Sequence, residues 1–395
     1  MVKSPGKRLI PSLVCGAALL LAYAHTQAQR GTDAENTLAD AFKGVTTNGT
    51  AVPGLYAIRR TGLSTAGVRQ AAQAFLDSLT EEQRRKTAFP LDSNEWRTWS
   101  NVPSPPHPQR AGVLIDELTD AQRARAFGLI GAGLSAKGAK QTEDIMKLNA
   151  TLFEITQDKR FGRYFYALTV MGTPSDTEPW GWQLDGHHMV INYFVLGDQL
   201  VMTPTFFGAE PVRATIGPFV GTVVLQAEQD KGFGLMTALT TAQRTKATIS
   251  VDKGSQSGIA AAYRDNLVLD YTGIRASELD GKQRSLLVDL MAEHLDNLPA
   301  GQEKLRLEEA TRHLDGTYFA WIGGTEPGGV FYYRIQSPVI LIEFDHQAPA
   351  RFATQPATRD HIHTLVRTPN GNDYGKDLLR QHYAQHPHPA SAGGN

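Results

Sequence analysis

His361-Ile362-His363 is the strongest chemical signal in the chain. On a strand, residues two apart share a face, so both imidazoles project the same way while Ile362 points into the core. Two neutral imidazoles so placed can clamp one cation, and zinc, copper and iron are the metals such nitrogen sets hold. Asp185-Gly186-His187-His188 offers a third ligand. Alternation there sends His188 to the face of Val190 and Asn192, and His187 to the face of Met189, Ile191 and Tyr193. One ligand, His187 or His188, is therefore expected from this pair unless a bulge at Gly186 redirects both. With His382, these segments hold five of the twelve histidines.

Carboxylates follow the same strands. Thr203-Pro204 leads to Glu210-Pro211, and Thr368-Pro369 leads to Asp373-Tyr374-Gly375. Rigid loops that follow strands are common places for sites. Glu210 or Asp373 is expected to complete the ligand set or to act as general base toward a metal-bound water. Asn370, Asn372 and Asp373 also suit an ordinary Asx turn. Arg334 and Arg367 are candidates to orient an anionic substrate, although internal pairing is the commoner use of such residues.

The only cysteine is Cys15, within an N-terminal segment that reads as a secretory signal. Lys3, Lys7 and Arg8 form its basic start, and Leu13 to Ala22 is too short an apolar run to span a bilayer. Cleavage is expected after Ala28. The mature chain then has no thiol, so any metal must be held by nitrogen and oxygen. A net charge of −1 gives no electrostatic reason to bind nucleic acid. No P-loop, Rossmann fingerprint, Gly-x-Ser-x-Gly elbow or His-Glu-x-x-His is present.

The elements that must position these residues are marked by one phrase repeated four times. It begins Leu79-Thr80, Leu118-Thr119, Leu239-Thr240 and Leu279-Asp280, and each copy has Gln three residues after the Thr or Asp. That is a capping box, in which two orphaned backbone N–H groups are satisfied reciprocally at a helix start. The copies are 39 and 40 positions apart within pairs, and the pairs are displaced by 160 and 161. The spacing predicts an internally duplicated α+β protein with a pseudo-twofold arrangement. Each half would consist of helices followed by an antiparallel strand meander. The expected boundaries are a signal peptide at 1–28, an extended lead-in at 29–65, repeats at 66–215 and 216–385, and a flexible tail at 386–395. Trp180, Trp182, Trp321, Phe331, Tyr332 and Tyr333 in the meanders would either fill the core or line a ligand groove.

Several of these segments together resemble the signature of a largely bacterial family, domain of unknown function 3500. They are Trp180 to His188, Thr203 to Pro211, Trp321-Ile322-Gly323, Tyr332 to Ile335, and His361-Ile362-His363 with Asp373-Tyr374-Gly375. The resemblance covers about residues 65 to 385 and implies a secreted location, but no particular reaction. The residues themselves lead to an exported metal-dependent enzyme with a His-rich site between the halves. A hydrolase is favoured because activating a bound water needs no further cofactor. Copper or iron would instead make it an oxidoreductase. The other alternative is a non-enzymatic periplasmic ligand-binding protein with an aromatic-lined groove. In each case the partner is a small molecule, without nucleic acid and without stable membrane insertion after signal cleavage.

Overall fold

The computed structural model describes residues 38–103, 110–350 and 355–386. The expected signal peptide, the start of the lead-in and the tail beyond His386 lie outside the described residues. By its internal contacts the chain divides after Ala41, and the unit from Phe42 onward contains the sheet and the helices packed on it. Among the described residues no helix is long and apolar enough to cross a membrane.

The chain is α+β, and its centre is one large, mostly antiparallel sheet. In chain order the strands are β1 (Ala88–Phe89), β2 (Val113–Leu114), β3 (Tyr166–Met171), β4 (Trp180–Gly186), β5 (Met189–Leu196), β6 (Gln199–Val201) and β7 (Thr205–Ala209). They continue as β8 (Thr248–Ser250), β9 (Ile274–Arg275), β10 (Tyr318–Gly323), β11 (Phe331–Gln336), β12 (Leu341–His346) and β13 (Ile362–Arg367). The spatial order is β1-β3-β4-β5-β7-β13-β12-β11-β10-β8. β7 and β13 meet antiparallel near the middle, with Gly208 opposite His363.

Alternation divides the strands into two unlike faces. One face carries Leu168, Trp182, Ile191, Phe207, Ile342 and Tyr333, and packs against Phe75, Leu129, Ile145, Leu235 and Leu290 from the helices. Trp180, Trp182, Trp321, Phe331, Tyr332 and Tyr333 are each no more than 1% exposed, so they fill the core and line no groove.

The other face is covered by irregular chain and by the helix Lys376–Gln385. Val190, Phe194, Phe206, Leu341 and Leu365 pack there against Val45, Tyr56, Trp96, Trp99 and Leu378. Irregular backbone cannot satisfy its own N–H groups as a helix does, so it needs buried acceptors. The strands supply them. Glu343 accepts from Ile259 N (3.0 Å) and Ala260 N (2.8 Å), and Asp345 accepts from Ser257 N and Gly258 N (both 2.9 Å). Asp185 accepts from Ser100 N (3.2 Å) and pairs with Arg110. Most charge on this face is scaffold.

Thr80, Thr119, Thr240 and Asp280 each cap a helix in a complete capping box. The repeated glutamines also join the caps in pairs. Gln122 Nε2 donates to Gln83 Oε1, and Gln283 Nε2 to Gln243 Oε1, both at 2.8 Å.

Candidate metal centre

The third histidine is placed by a turn, which corrects the expectation from strand alternation. Gly186 pairs with Met189, so His187 and His188 are the two residues of the β4–β5 hairpin tip. His188 has φ +62°, a left-handed conformation uncommon for a residue other than glycine. Three hydrogen bonds hold the tip. The Tyr166 hydroxyl donates to His187 O (3.1 Å), His188 N donates to Asn101 O (3.1 Å), and Gly208 N donates to His188 O (2.7 Å). The Tyr166 ring lies where a Cβ on Gly186 would stand, so only glycine fits beneath it.

The result is that His188, His361 and His363 converge. His361 Nε2 is 3.1 Å from His188 Nε2 and 2.9 Å from His363 Nε2. Among the described residues these three form the one group of His, Cys, Asp or Glu placed to hold a metal ion. Nitrogens each about 2.1 Å from one ion lie about 3.0 Å apart at a right angle and about 3.4 Å apart at the tetrahedral angle. Both observed separations lie near the right-angle value, so the Nε2 of His361 is close enough to share one ion with each of the other two imidazoles.

The protonation states suit ligation. Burial holds the imidazoles of His188 and His363 well below the ordinary histidine range, so both are neutral. His361 Nδ1 donates to Ala348 O at 2.6 Å, which leaves the Nε2 lone pair aimed into the cluster. Behind it Glu210 Oε2 lies 3.6 Å from the same Nδ1, and the Glu210 carboxylate accepts from Ala350 N. A ligand imidazole backed by carbonyl and carboxylate is a common metal-site arrangement, because the outer acceptors fix the ring and raise its basicity. Glu210 therefore meets the cluster through His361, from the side away from the convergent Nε2 atoms.

His187 is next to the cluster but outside the converging set. Its Nδ1 bonds Asn149 Oδ1 at 2.7 Å, and Asn149 Nδ2 donates to Gly162 O at 2.8 Å, which fixes the amide orientation. The ring stacks on His188, centroids 3.8 Å apart, with Phe161 4.9 Å away. His363 is packed edge-on by Phe206 at 4.9 Å.

The structure does not bring Asp373 or Arg334 to the cluster. β7 and β13 are antiparallel, so Glu210, after β7, lies beside the start of β13, whereas Asp373 follows its far end. There Arg367 Nη1 bonds Asp373 Oδ2 (2.9 Å) and Asp265 Oδ1 (3.0 Å), and Thr368 N donates to Asp373 Oδ1 (2.6 Å). Arg367 is four residues beyond His363, about 13 Å along the strand. Arg334 is on β11, with β12 between it and β13, and donates to Thr272 Oγ1. His382 lies on the helix Lys376–Gln385, 3.6 Å from Glu178, and is not part of the group.

Asn101, Asn149, Tyr166 and Ala348 shape the site although no sequence motif contains them, and Gly208, within Thr203 to Pro211, shapes it through its lack of a side chain. No curated protein and no solved structure matches the chain. Residues 61–376 match a family described as protein of unknown function (DUF3500), and since that span covers most of the chain, the chain belongs to this family.

Proposed function

We propose that the chain is an exported metal-dependent enzyme, a hydrolase acting on a small molecule at a divalent transition metal held by His188, His361 and His363. The observation that carries the reading is the convergence of three Nε2 atoms from two distant segments. Three histidine ligands with open positions resemble zinc sites that lower the pKa of a bound water enough to make hydroxide near neutrality. His188, His361 and His363 bind the ion, Glu210 orients His361, and Asn149 with His187 braces His188. Copper or iron in the same set would turn the chemistry to oxidation.

Export rests on the N-terminal sequence alone. The chain also reads as an internal duplication with a pseudo-twofold arrangement. Supporting this, β1 runs parallel to β3 as β8 does to β10, and β2 pairs antiparallel with β3 as β9 does with β10. The histidine cluster then lies at the β7–β13 junction between the halves.

The test is elemental analysis of untagged protein after reconstitution with zinc, copper or iron, beside a His361→Ala/His363→Ala double variant. One equivalent of metal in the parent and none in the variant is expected, with hydrolysis of activated ester or phosphodiester probes only in the loaded parent. Failure of the folded parent to retain any of the three metals would remove the proposal. Retained metal with redox turnover and no hydrolysis would transfer the site to the oxidative reading.

A further inference from the structure

A cavity lies on the helix-covered face of the same central strands. β7 and β13 present Thr205, Phe207, Thr364 and Val366 to it, on the face opposite His363. Across from them stand the end of the helix Gly281–Leu295, the following Leu298, and the helix Gln302–Arg312. About 170 Å³ is left between these walls. Phe207, Leu295, Leu298, Val366, Leu200 and Met202 make much of the lining apolar.

One end of the cavity is built from acceptors. Asn297 is 2% exposed, and its Oδ1 has no hydrogen-bond partner among the described residues. His294 Nε2 lies 2.7 Å from the Tyr333 hydroxyl, which itself donates to Glu228 O at 2.9 Å. With the tyrosine proton used in that way, the imidazole proton must be on Nε2, and Nδ1 is left as an acceptor. Burial keeps this imidazole neutral, at about 3. Glu228, 3% exposed, also lines the cavity, and burial pushes its carboxyl up to about 7. An acceptor left unmet in such surroundings is costly, so a donor placed there is favoured.

The other end holds arginine: Arg306 is already engaged there, and the remaining lining arginines, Arg59 and Arg312, are exposed to solvent. That end lies at Thr368, four residues beyond Thr364 and about 13 Å along β13. There Arg306 donates to Val339 O (2.6 Å) and Thr368 Oγ1 (3.1 Å), and pairs with Glu309. This guanidinium has its charge and donors engaged and offers little to an incoming anion.

We propose that this cavity binds a small molecule carrying a hydrogen-bond-donating head, a primary amine or an alcohol, on an apolar stem. The head sits among Glu228, His294 Nδ1 and Asn297 Oδ1, and the stem lies between Phe207 and Val366 on one side and Leu295 and Leu298 on the other. A carboxylate head is disfavoured there, because above the Glu228 transition it sits beside a second carboxylate and the acceptors His294 Nδ1 and Asn297 Oδ1. A bound water would satisfy the polar end but would leave the apolar length unfilled.

Isothermal titration of the full chain with hexylamine, 1-hexanol and hexanoate at pH 8 tests this. At least one donor-headed probe is expected to bind with one molecule per chain, and hexanoate at least tenfold more weakly. Asn297→Leu is expected to weaken the bound probe tenfold or more. Leu298→Trp, which fills the cavity from its apolar wall, is expected to abolish binding while keeping a cooperative melting transition. The His361→Ala/His363→Ala variant is expected to bind the probe as the parent does, which separates this cavity from the metal reading. Two results would overturn the proposal: hexanoate binding as tightly as the donor-headed probes, or a well-folded parent binding neither hexylamine nor hexanol.

Discussion

Gly208 and His363 face each other across the β7–β13 ladder with no room for a methyl group between them. A Cβ at position 208 would stand 2.9 Å from His363 Cδ2 and 2.9 Å from Ile362 O, and the latter is backbone and cannot move aside cheaply. Gly208→Ala is therefore expected to displace the His363 ring from the converging set. Overpacking of this kind costs about 1–3 kcal/mol of stability. Disturbing the support of a ligand typically lowers metal affinity by about 10–100-fold. Competition with a zinc chelator measures the effect, and an unchanged affinity would mean that His363 is not a ligand.

The legible part of the site was local. His361 and His363 share a face through strand alternation, which involves three consecutive residues and is written in the sequence. His188 is different, because its direction depends on a positive φ in a two-residue turn and on bonds to Asn101 and Gly208, 87 and 20 positions away. Glu210 and Asp373 look equivalent because each follows a Thr-Pro step, yet Thr203 precedes β7 whereas Thr368 follows β13. Antiparallel pairing then brings the two threonines together, Oγ1 to Oγ1 at 2.7 Å, while their carboxylates go to opposite ends of the ladder. The caps were legible for the same reason as His361 and His363, since a capping box is complete within four residues. The Gln83–Gln122 link needs two helices already docked, and nothing local announces it.

Arg367 is expected to be structural. It is wholly buried and pairs with Asp265 and Asp373, and it also donates to Ala260 O and Ala261 O. Removing it leaves Asp373 without a cation while Asp265 keeps Arg97 at 2.9 Å, and breaking a buried ion pair in this way costs about 3–5 kcal/mol. Arg367→Met should therefore lower the urea midpoint strongly, while the fraction that remains folded keeps its metal stoichiometry. A loss of metal without loss of stability would place Arg367 in the site after all.

Stability should depend on pH through the buried histidines. The folded values of His294 and His346 are pushed down to about 3 by burial, against about 6.5 in an unfolded chain. The unfolded chain therefore takes up protons first as the pH falls below about 6.5. The contribution of each histidine is intact above that point and declines by about 1.4 kcal/mol per pH unit below it, until the folded value is reached. Glu228 works the other way, since its acid is raised to about 7 and the folded state takes up its proton first. The informative quantity is thus the difference between the parent and His294→Gln, whose amide can still donate to Tyr333. Urea unfolding from pH 7.5 to 5 should show the variant gaining on the parent below about pH 6.5. Parallel profiles would mean that His294 titrates normally in the fold.

Glu210 offers the sharpest division between supporting a ligand and doing chemistry. Its carboxylate accepts from Ala350 N and stands 3.6 Å from His361 Nδ1, the nitrogen that faces away from the cluster. Glu210→Gln retains an oxygen for Ala350 N but removes the charge behind the imidazole. A carboxylate that works through His361 should, when neutralised, weaken metal binding by about tenfold, and saturating metal should restore most of any activity. A general base would behave otherwise, with affinity unchanged and turnover lost even when the site is full. Zinc affinity by chelator competition, measured beside turnover at saturating zinc, separates the two, and the geometry leads to the first outcome.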